Sequence, residues 1–427
     1  MFRLENAQSL VGIALTLLIC WAMSEDRKRF PWRLALGALA VQVGLIVLLF
    51  GFEPARGVVK GIGDAVDGLS FATAEGTRFV FGYLGGGPQP YLQTGAQAPF
   101  VFAFQVLPLI LVISALSALL WHWQILKWII RGFGFLFEKT MGMGGASATA
   151  TAANIFLGMV ETPIIIRAYL DKLTRSELFL MMVVGLATVA GSTMVAYAAM
   201  LKTVLPNAAA HVLVASVVSA PAGVLLARLM IPEQKGAEGA VVDYTSLLKY
   251  DSAIDAISKG VADGLMVVLN VSAVLIVFVA LVAIGNGILG VFPDVAGAPL
   301  TIERILGVVF APLAWSLGID WAESGKAGYL LGVKLMLTEF VAFIQLGAIP
   351  EGEMTERTRM IMTYALCGFA NVGSVGITVS GMGVLMPERR NEIIGMVWKA
   401  LLAGFLATCM TAAVVGAMPR ELFGIAG

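Results

Sequence analysis

Two glutamates inside apolar, glycine-interrupted segments limit the fold more than any other feature of the sequence. Glu161 lies in residues 154–163, which also contain a glycine and end in a proline that disfavours a continuous helix. Glu339 lies in residues 338–343, again with apolar residues on both sides. An ionised side chain at the centre of a bilayer costs about 2.5–3.5 kcal/mol on insertion scales. Because only a partner or a ligand offsets such a cost, we interpret the two stretches as halves of one buried ligand site.

The composition places these glutamates in a membrane protein. Hydrophobic residues make up 59% of the 427 residues and charged residues 13%, with a mean hydropathy of +0.88. Soluble domains average roughly 45–50% apolar and 25% charged residues. The chain has too little polar surface to cover itself in water, so we predict an all-α integral membrane protein in a lipid bilayer. The net charge of zero argues against nucleic acid as a partner.

Apolar runs of helical length predict about eight transmembrane helices. They are residues 9–23, 34–52, 100–123, 178–201, 208–230, 265–292, 360–385 and 393–418. Basic residues after the first run place the loop that follows it in the cytoplasm, so this run is a retained helix rather than a signal peptide. Residues 53–83 and 252–264 have amphipathic patterns, and the first of these predicts a helix along the membrane interface. Residues 301–318 predict a tilted or interfacial helix.

Two further segments predict re-entrant helical hairpins. Residues 141–166 are rich in Gly, Ala, Ser and Thr, are too interrupted to cross as one helix, and have basic residues beyond both ends. Such a segment enters and leaves the membrane on the cytoplasmic side. Residues 327–348 contain Glu339 near their centre and have acidic flanks, which favours entry from the outer side.

The order of these segments predicts an inverted repeat. Each hairpin with its glutamate precedes a broken helix and then an intact helix, and the breaks fall at residues 185–193 and 367–374. Inverted repeats with broken helices are common in secondary transporters. We predict scaffold helices and an interfacial helix in residues 1–126, and the first transport repeat in residues 127–232. A connector with a scaffold helix and an interfacial helix follows in residues 233–318, and the second transport repeat in residues 319–427.

Residues 154–163, 338–343 and 367–374 resemble the signature segments of the bacterial, cation-coupled concentrative nucleoside transporters, and the resemblance extends over nearly the whole chain. It implies a homotrimer in the bacterial plasma (inner) membrane, with one transport pathway in each protomer. It also implies a scaffold domain, a mobile transport domain with both hairpins, and sodium-driven nucleoside uptake by an elevator-like motion. The partners that the family implies are thus the other copies of the chain in a homotrimer, a nucleoside and a coupling sodium ion.

The resemblance also assigns residues to the site. The first hairpin tip would face the nucleobase, Thr193 would lie beside the base, Glu339 with Asn371 and Ser374 would hold the ribose hydroxyls, and Phe369 would pack against the ligand. The substrate-binding residues it implies are Gly158, Met159, Val160, Glu161, Thr193, Glu339, Phe369, Asn371 and Ser374. The sodium ligands it implies are Asn154, the Leu157 carbonyl, Thr188 and the Val189 carbonyl. All four sodium ligands offer oxygen atoms, which a hard cation prefers.

The chain departs from the family pattern at both hairpin tips. Met159 and Val160 stand where well-understood members carry Gln and Thr, which weakens the case for pyrimidine recognition and favours a purine. Thr338 stands in place of the usual asparagine beside the glutamate. The hydroxyl of Thr188 favours sodium as the coupling ion, with proton coupling as the alternative.

Other interpretations of the same residues stay open. Glu161 and Glu339 each have a structural alternative, pairing within the fold, for instance of Glu339 with Lys334. The amides of Asn154 and Asn371 have another, capping broken helices. At the level of the whole protein the alternatives are a passive pore and a transporter of nucleobases or another small polar solute. An enzyme is disfavoured because the sequence contains only two distant histidines and no nucleophile–base motif.

Overall fold

The computed structural model describes residues 4–28, 30–90, 101–159, 161–233, 249–295 and 297–423. The described chain is built from helices, and the all-α prediction is confirmed. Its first half contains α1 (Leu4–Ala22), α2 (Trp32–Ile46), α3 (Glu53–Phe81), α4 (Phe102–Gln105), α5 (Pro108–His122), α6 (Ile125–Met141), α7 (Gly145–Asn154), α8 (Glu161–Ile165) and α9 (Arg175–Ala187). Its second half contains α10 (Gly191–Leu201), α11 (Ala208–Met230), α12 (Ala253–Leu289), α13 (Ile302–Ser316), α14 (Trp321–Met336), α15 (Glu339–Ala348), α16 (Glu356–Leu366), α17 (Val372–Leu385) and α18 (Arg390–Ala417).

Helical runs long and apolar enough to cross a membrane are the main building blocks. Within the described ranges these are Trp32–Gly51, Phe102–His122, Arg175–Leu201, Ala208–Met230, Ala253–Leu289 and Pro387–Ala417. A seventh is added if α13 and α14, which meet at 115°, are taken as one broken span. Two of the predicted spans do not meet the same test: the apolar part of α1 is short, and the segment of α16 and α17 is interrupted.

One predicted boundary is wrong. The sequence pattern separates an amphipathic segment, residues 252–264, from a span that begins at residue 265. In the structure both belong to α12, a single helix of 37 residues. The side chain of Ser252 caps its start by accepting a hydrogen bond from the Asp255 N–H. The charged residues of the amphipathic segment lie on the first turns of α12, and the same helix continues into the apolar run. The two segments are therefore not separated by a break.

Polar side chains define where the shorter helices begin. Thr174 and Glu177 form a capping box at the start of α9. Asp320, Thr338, Thr355 and Asn371 cap α14, α15, α16 and α17 by accepting a backbone N–H two or three residues ahead. The broken helices and hairpin arms therefore begin at positions that the sequence specifies locally, and of these caps Asn371 is buried inside the fold.

The contacts between helices reveal the repeat. α6 packs on α7 and α7 on α8, as α13 packs on α14 and α14 on α15. α9 and α10 both pack on α11, as α16 and α17 both pack on α18. The halves also cross: α8 contacts α17, and α15 contacts α10. Each hairpin therefore meets the broken helix of the other half, as two units related by a pseudo-two-fold axis would.

The remaining helices pack on one another and on the repeats. α5 packs along α12 and also contacts α3 and α10. α1 packs on α18 and α13, and α2 packs on α11. The first two helices therefore contact the repeats directly, although the sequence pattern grouped them with α5 in residues 1–126.

Candidate functional site

The tip of hairpin 1 is the turn between α7 and α8. It is tied to the first broken helix because the Gly191 N–H, at the start of α10, donates to the Phe156 carbonyl at 2.9 Å. Glu161 begins α8, and its side chain is exposed. A Cβ on Gly158 would collide with the Glu161 carboxylate, so the glycine lets the carboxylate lie against the turn. Val160, one of the predicted base contacts, lies outside the described residues.

The first broken helix is unwound at Thr188, between α9 and α10. The Thr188 hydroxyl donates toward the Asn154 carbonyl at 2.9 Å and the Val184 carbonyl at 2.8 Å. The Val189 N–H donates to the Ser216 hydroxyl at 3.4 Å. Thr193 lies in the first turn of α10, buried, with its hydroxyl bonded to the Ala190 carbonyl at 2.8 Å. The predicted break is confirmed, and it lies beside the end of the first hairpin arm.

Hairpin 2 consists of α14 and α15. Glu339 begins α15, its second arm, and is 5% exposed. Its carboxylate accepts a hydrogen bond from the Tyr197 hydroxyl at 2.9 Å and one from the Asn371 Nδ2 at 2.8 Å. Lys334 does not pair with it; that ammonium bonds the Ala365 carbonyl and Thr408 instead. Each carboxylate oxygen of Glu339 has two lone pairs, and the two hydrogen bonds leave acceptor capacity for a ligand.

The second broken helix brings an amide to this carboxylate. Asn371 precedes α17, and its Oδ1 accepts the Ser374 N–H at 2.8 Å while its Nδ2 reaches Glu339. Asn371 thus caps α17 with one end of its side chain and bonds the Glu339 carboxylate with the other. The Phe369 N–H donates to the Thr188 carbonyl at 3.2 Å. The two unwound segments therefore meet each other through the backbone.

A glycine makes this meeting possible. A Cβ on Gly368 would lie 2.6 Å from the Thr408 methyl carbon and 2.9 Å from the Ala187 carbonyl oxygen. Real Cβ atoms do not approach other atoms so closely, so any larger residue would push the two breaks apart. The first unwound segment and α18 thus pack directly on the second unwound segment.

A short chain of contacts links the two hairpin tips. Thr378, on the second turn of α17, donates to the Ser374 carbonyl at 2.8 Å, and its hydroxyl oxygen lies 3.7 Å from the Met159 sulfur. Ser374 is bonded to Asn371, which is bonded to Glu339. The structure therefore gathers Met159, Ser374, Asn371 and Glu339 at one place between the halves.

The Asn154 side chain is an exception in this well-bonded region. It is 1% exposed, and neither its Oδ1 nor its Nδ2 has a hydrogen-bond partner among the described residues. Its backbone carbonyl faces Thr188, and its Oδ1 would lie 3.6 Å from a Cβ on Gly185 in the last turns of α9. Buried polar groups without partners are rare and indicate a missing ligand or water. The donor set here, an amide oxygen with backbone carbonyls and a hydroxyl, fits an alkali cation.

Sequence reasoning missed two residues of this region. Tyr197 stacks on Phe343, with ring centroids 4.4 Å apart and planes at 13°, and bonds Glu339. Thr378 touches Met159. Both lie four residues after predicted site residues, Thr193 and Ser374, so they share a helix face with them. That spacing is the signal that would have found them.

Comparisons with known proteins agree with this geometry. The chain matches the models "Na+ dependent nucleoside transporter N-terminus" over residues 11–84, "Nucleoside recognition" over residues 103–204 and "Na+ dependent nucleoside transporter C-terminus" over residues 211–416. The chain belongs to the sodium-dependent, concentrative nucleoside transporter family. This confirms the family inferred from the signature segments.

Relatives extend over the whole chain. The nucleoside permease NupC of Helicobacter pylori is 35% identical over 413 residues, which are 96% of this chain and 96% of the relative. The sodium/nucleoside cotransporter 2 of Rattus norvegicus is 31% identical over 96% of this chain and 62% of its own length. The inward-facing, substrate-bound structure of CNTnw is 34% identical, covers 100% of this chain and 99% of that chain, and has a TM-score of 0.89.

Proposed function

We propose that this protein is a symporter that imports nucleosides with a sodium gradient and works by an elevator-like movement in the membrane. The observation that carries the proposal is the carboxylate of Glu339, held by Tyr197 and Asn371 where hairpin 2 meets the second broken helix. Membership of the family supports the substrate class.

Glu339 and Asn371 suit the sugar. A carboxylate accepts hydrogen bonds from two vicinal hydroxyls, and the fixed amide beside it limits where they lie. Because two donors already hold the carboxylate, the Glu339 side chain loses little conformational freedom when a ribose binds. Phe369 lies on the unwound segment and Ser374 in the first turn of α17, and both complete this side of the proposed site.

The side of the proposed site that would face the nucleobase is less polar in this chain than in family members that carry Gln and Thr at the tip of hairpin 1. Met159 contacts Thr378, so the thioether packs between the hairpin 1 tip and α17. At the tip, the exposed carboxylate of Glu161 lies beside Gly158. Thr193 lies on α10. We propose that a purine is preferred, with Glu161 as the polar base contact and Met159 as the apolar one.

Sodium enters this proposal as a transported substrate. Asn154 Oδ1, the carbonyls of Leu157 and Val189, and the Thr188 hydroxyl are the proposed ligands. The buried Asn154 side chain, without a partner among the described residues, supports this assignment. Half-helix ends and unwound carbonyls of this kind coordinate cations in secondary transporters. Thr188→Ala should raise the half-saturating sodium concentration about tenfold by removing one ligand, and an unchanged sodium activation curve would remove Thr188 from the ligand set.

We propose that the movement divides the molecule into a mobile part and a scaffold. The two repeats, with α1 and α2 packed on them, would form the mobile part, and α3, α5 and α12 the scaffold of a homotrimer in the bacterial inner membrane. This division moves α1 and α2 out of the scaffold proposed from the sequence. CNTnw is described in inward-facing, outward-facing and intermediate states, which supports a mobile unit in this family.

Uptake into proteoliposomes tests the function. Labelled adenosine and uridine should accumulate when sodium is higher outside and the interior is negative, since one charge moving through 100 mV contributes about 2.3 kcal/mol. A proton gradient alone should give no accumulation. Accumulation with protons but without sodium would favour proton coupling, and uptake of neither compound would favour a nucleobase or another small polar solute. If the labelled nucleosides equilibrate across the membrane independently of the sodium and proton gradients, a passive pore is favoured.

A further inference from the structure

Lys334 is a lysine buried completely within the membrane-spanning fold. It lies on α14, the first arm of hairpin 2, and is 0% exposed. Its Nζ donates to the Ala365 carbonyl at 2.7 Å and to the Thr408 hydroxyl at 2.6 Å. The Thr408 hydroxyl in turn donates to the Phe405 carbonyl at 2.9 Å, so its oxygen is free to accept from the lysine. Both hydrogen bonds of the amine are thus to acceptors, as an ammonium requires.

No carboxylate pairs directly with this ammonium among the described residues. The Phe405 ring lies 5.5 Å from Nζ and adds a cation–π contact. The main compensation comes from Ala365, in the last turn of α16. Carbonyls in the last turn of a helix have no partner within the helix and carry the negative end of its dipole. The ammonium therefore binds the C-terminal end of α16, which is the first part of the second broken helix. Such a helix end attracts cations.

The first repeat has the equivalent place, with different chemistry. There, Asn154 ends the first arm of hairpin 1 and faces the last turn of α9 through Gly185 and Thr188. Asn154 is neutral, buried and without a side-chain partner in the described chain. In one repeat the hairpin arm brings neutral oxygen ligands to the end of the broken helix. In the other, it brings a positive charge of its own.

We propose that Lys334 is a tethered cation: its ammonium takes, in the second repeat, the place that the transported sodium takes in the first. This inference rests on the sodium-driven function proposed above. A positive charge attached covalently to the chain means that the second repeat needs no mobile ion. The transporter then couples each nucleoside to a single sodium, and the residue at position 334 sets that number.

Nucleoside binding at varied sodium concentrations tests the proposal. Purified full-length protein is titrated with adenosine by calorimetry over a range of sodium, for the parent chain and for Lys334→Met and Lys334→Gln. Glutamine keeps hydrogen-bond donors toward Ala365 and Thr408 but removes the charge, whereas methionine removes both. For the parent, the dependence of affinity on sodium should correspond to about one bound ion. Both variants should bind at least about tenfold more weakly at low sodium, recover at high sodium, and depend on about two ions.

The controls separate the possible results. Lys334→Arg keeps the charge and should keep the one-ion dependence. Lys326→Gln changes an exposed lysine on the same helix, which pairs with Glu353, and should have no effect.

If Lys334→Gln binds with the affinity and the single-ion dependence of the parent, Lys334 is a structural cap and the proposal is overturned. It is also overturned if both neutral variants lose affinity that no sodium concentration restores. Should Lys334→Met fail to fold, Lys334→Gln alone decides. A parent that binds adenosine without sodium overturns the proposed function before any variant is measured.

Discussion

The two hairpin tips carry the same residue type in different surroundings. Glu339 is buried and held by two side chains, Tyr197 on α10 and Asn371 just before α17. Glu161 is exposed and lies against the glycine of its own turn. The second tip is therefore held by side chains from other elements, and the first only by its own turn.

This difference matches the two ends of a nucleoside. Every nucleoside presents a similar sugar, which a rigid acceptor binds with little loss of freedom. The base varies, and a less constrained carboxylate beside a flexible methionine accommodates more than one ring. We infer that affinity comes mainly from the second repeat and selectivity among bases mainly from the first. The predictions below test this division, beginning with the largest effect.

Glu339→Gln should cause the largest loss. The amide retains the size of the side chain, but it replaces one acceptor oxygen with a donor and removes the charge that strengthens both hydrogen bonds. Nucleoside uptake should fall at least about 100-fold, which corresponds to about 2.7 kcal/mol. Uptake of labelled adenosine into proteoliposomes measures this. Glu353→Gln, at an exposed salt bridge with Lys326, is the matched control and should transport normally. Normal uptake by Glu339→Gln would remove this residue from the site.

Gly368→Ala tests whether the two halves must touch at their breaks. The added methyl would collide with the Ala187 carbonyl and with Thr408, and overpacking of this kind costs about 1–3 kcal/mol. Thermal unfolding of the purified protein should shift to lower temperature, and uptake should fall with it. Gly376→Ala on α17, where a Cβ meets nothing within 4 Å, should leave stability unchanged or slightly raised. Equal behaviour of the two variants would contradict the close contact.

Much of this arrangement could be predicted from the sequence, for physical reasons. Both breaks follow from hydroxyl, amide and glycine residues within apolar runs, and the ends of α11 coincide with the predicted bounds. The inverted repeat follows from the order of elements and the charges on their flanks. These features depend on local chemistry, which the sequence displays directly.

The parts that the sequence did not reveal depend on tertiary packing. An aromatic residue in an apolar helix is typical of a core position. Its spacing from Thr193 gives Tyr197 a helix face, but it does not name as its partner a carboxylate 142 residues away. Lys334 lies a little more than one turn before Glu339, which suggested a pair, yet its partners come from α16 and α18. The packing of α1 on α18 joins the two ends of the chain, and hydrophobic periodicity does not specify such partners.

Tyr197→Phe should have an intermediate effect. The ring keeps its stacking on Phe343, but Glu339 loses one of its two donors and becomes less rigid. A hydrogen bond to a charged group contributes about 1.5–3 kcal/mol, so the KM for adenosine should rise roughly tenfold or more. Tyr364→Phe is the matched control, because that buried hydroxyl bonds His211 rather than the site. Equal KM values for the two variants would mean that Glu339 does not need preorganisation.

Glu161→Gln should have the smallest effect on uptake and the clearest effect on selectivity. The side chain is exposed, so its replacement leaves no buried group without a partner, and uptake near saturation should stay within about threefold of the parent. The ratio of KM values for adenosine and uridine should change about two- to fivefold, because a neutral amide bonds the two bases differently. Competition between the two labelled nucleosides measures this ratio in one sample. Glu138→Gln, at the exposed end of α6, should leave the ratio unchanged. If Glu161→Gln abolishes uptake of both nucleosides, the first tip is as essential as the second, and the division between a rigid sugar side and an adaptable base side is wrong.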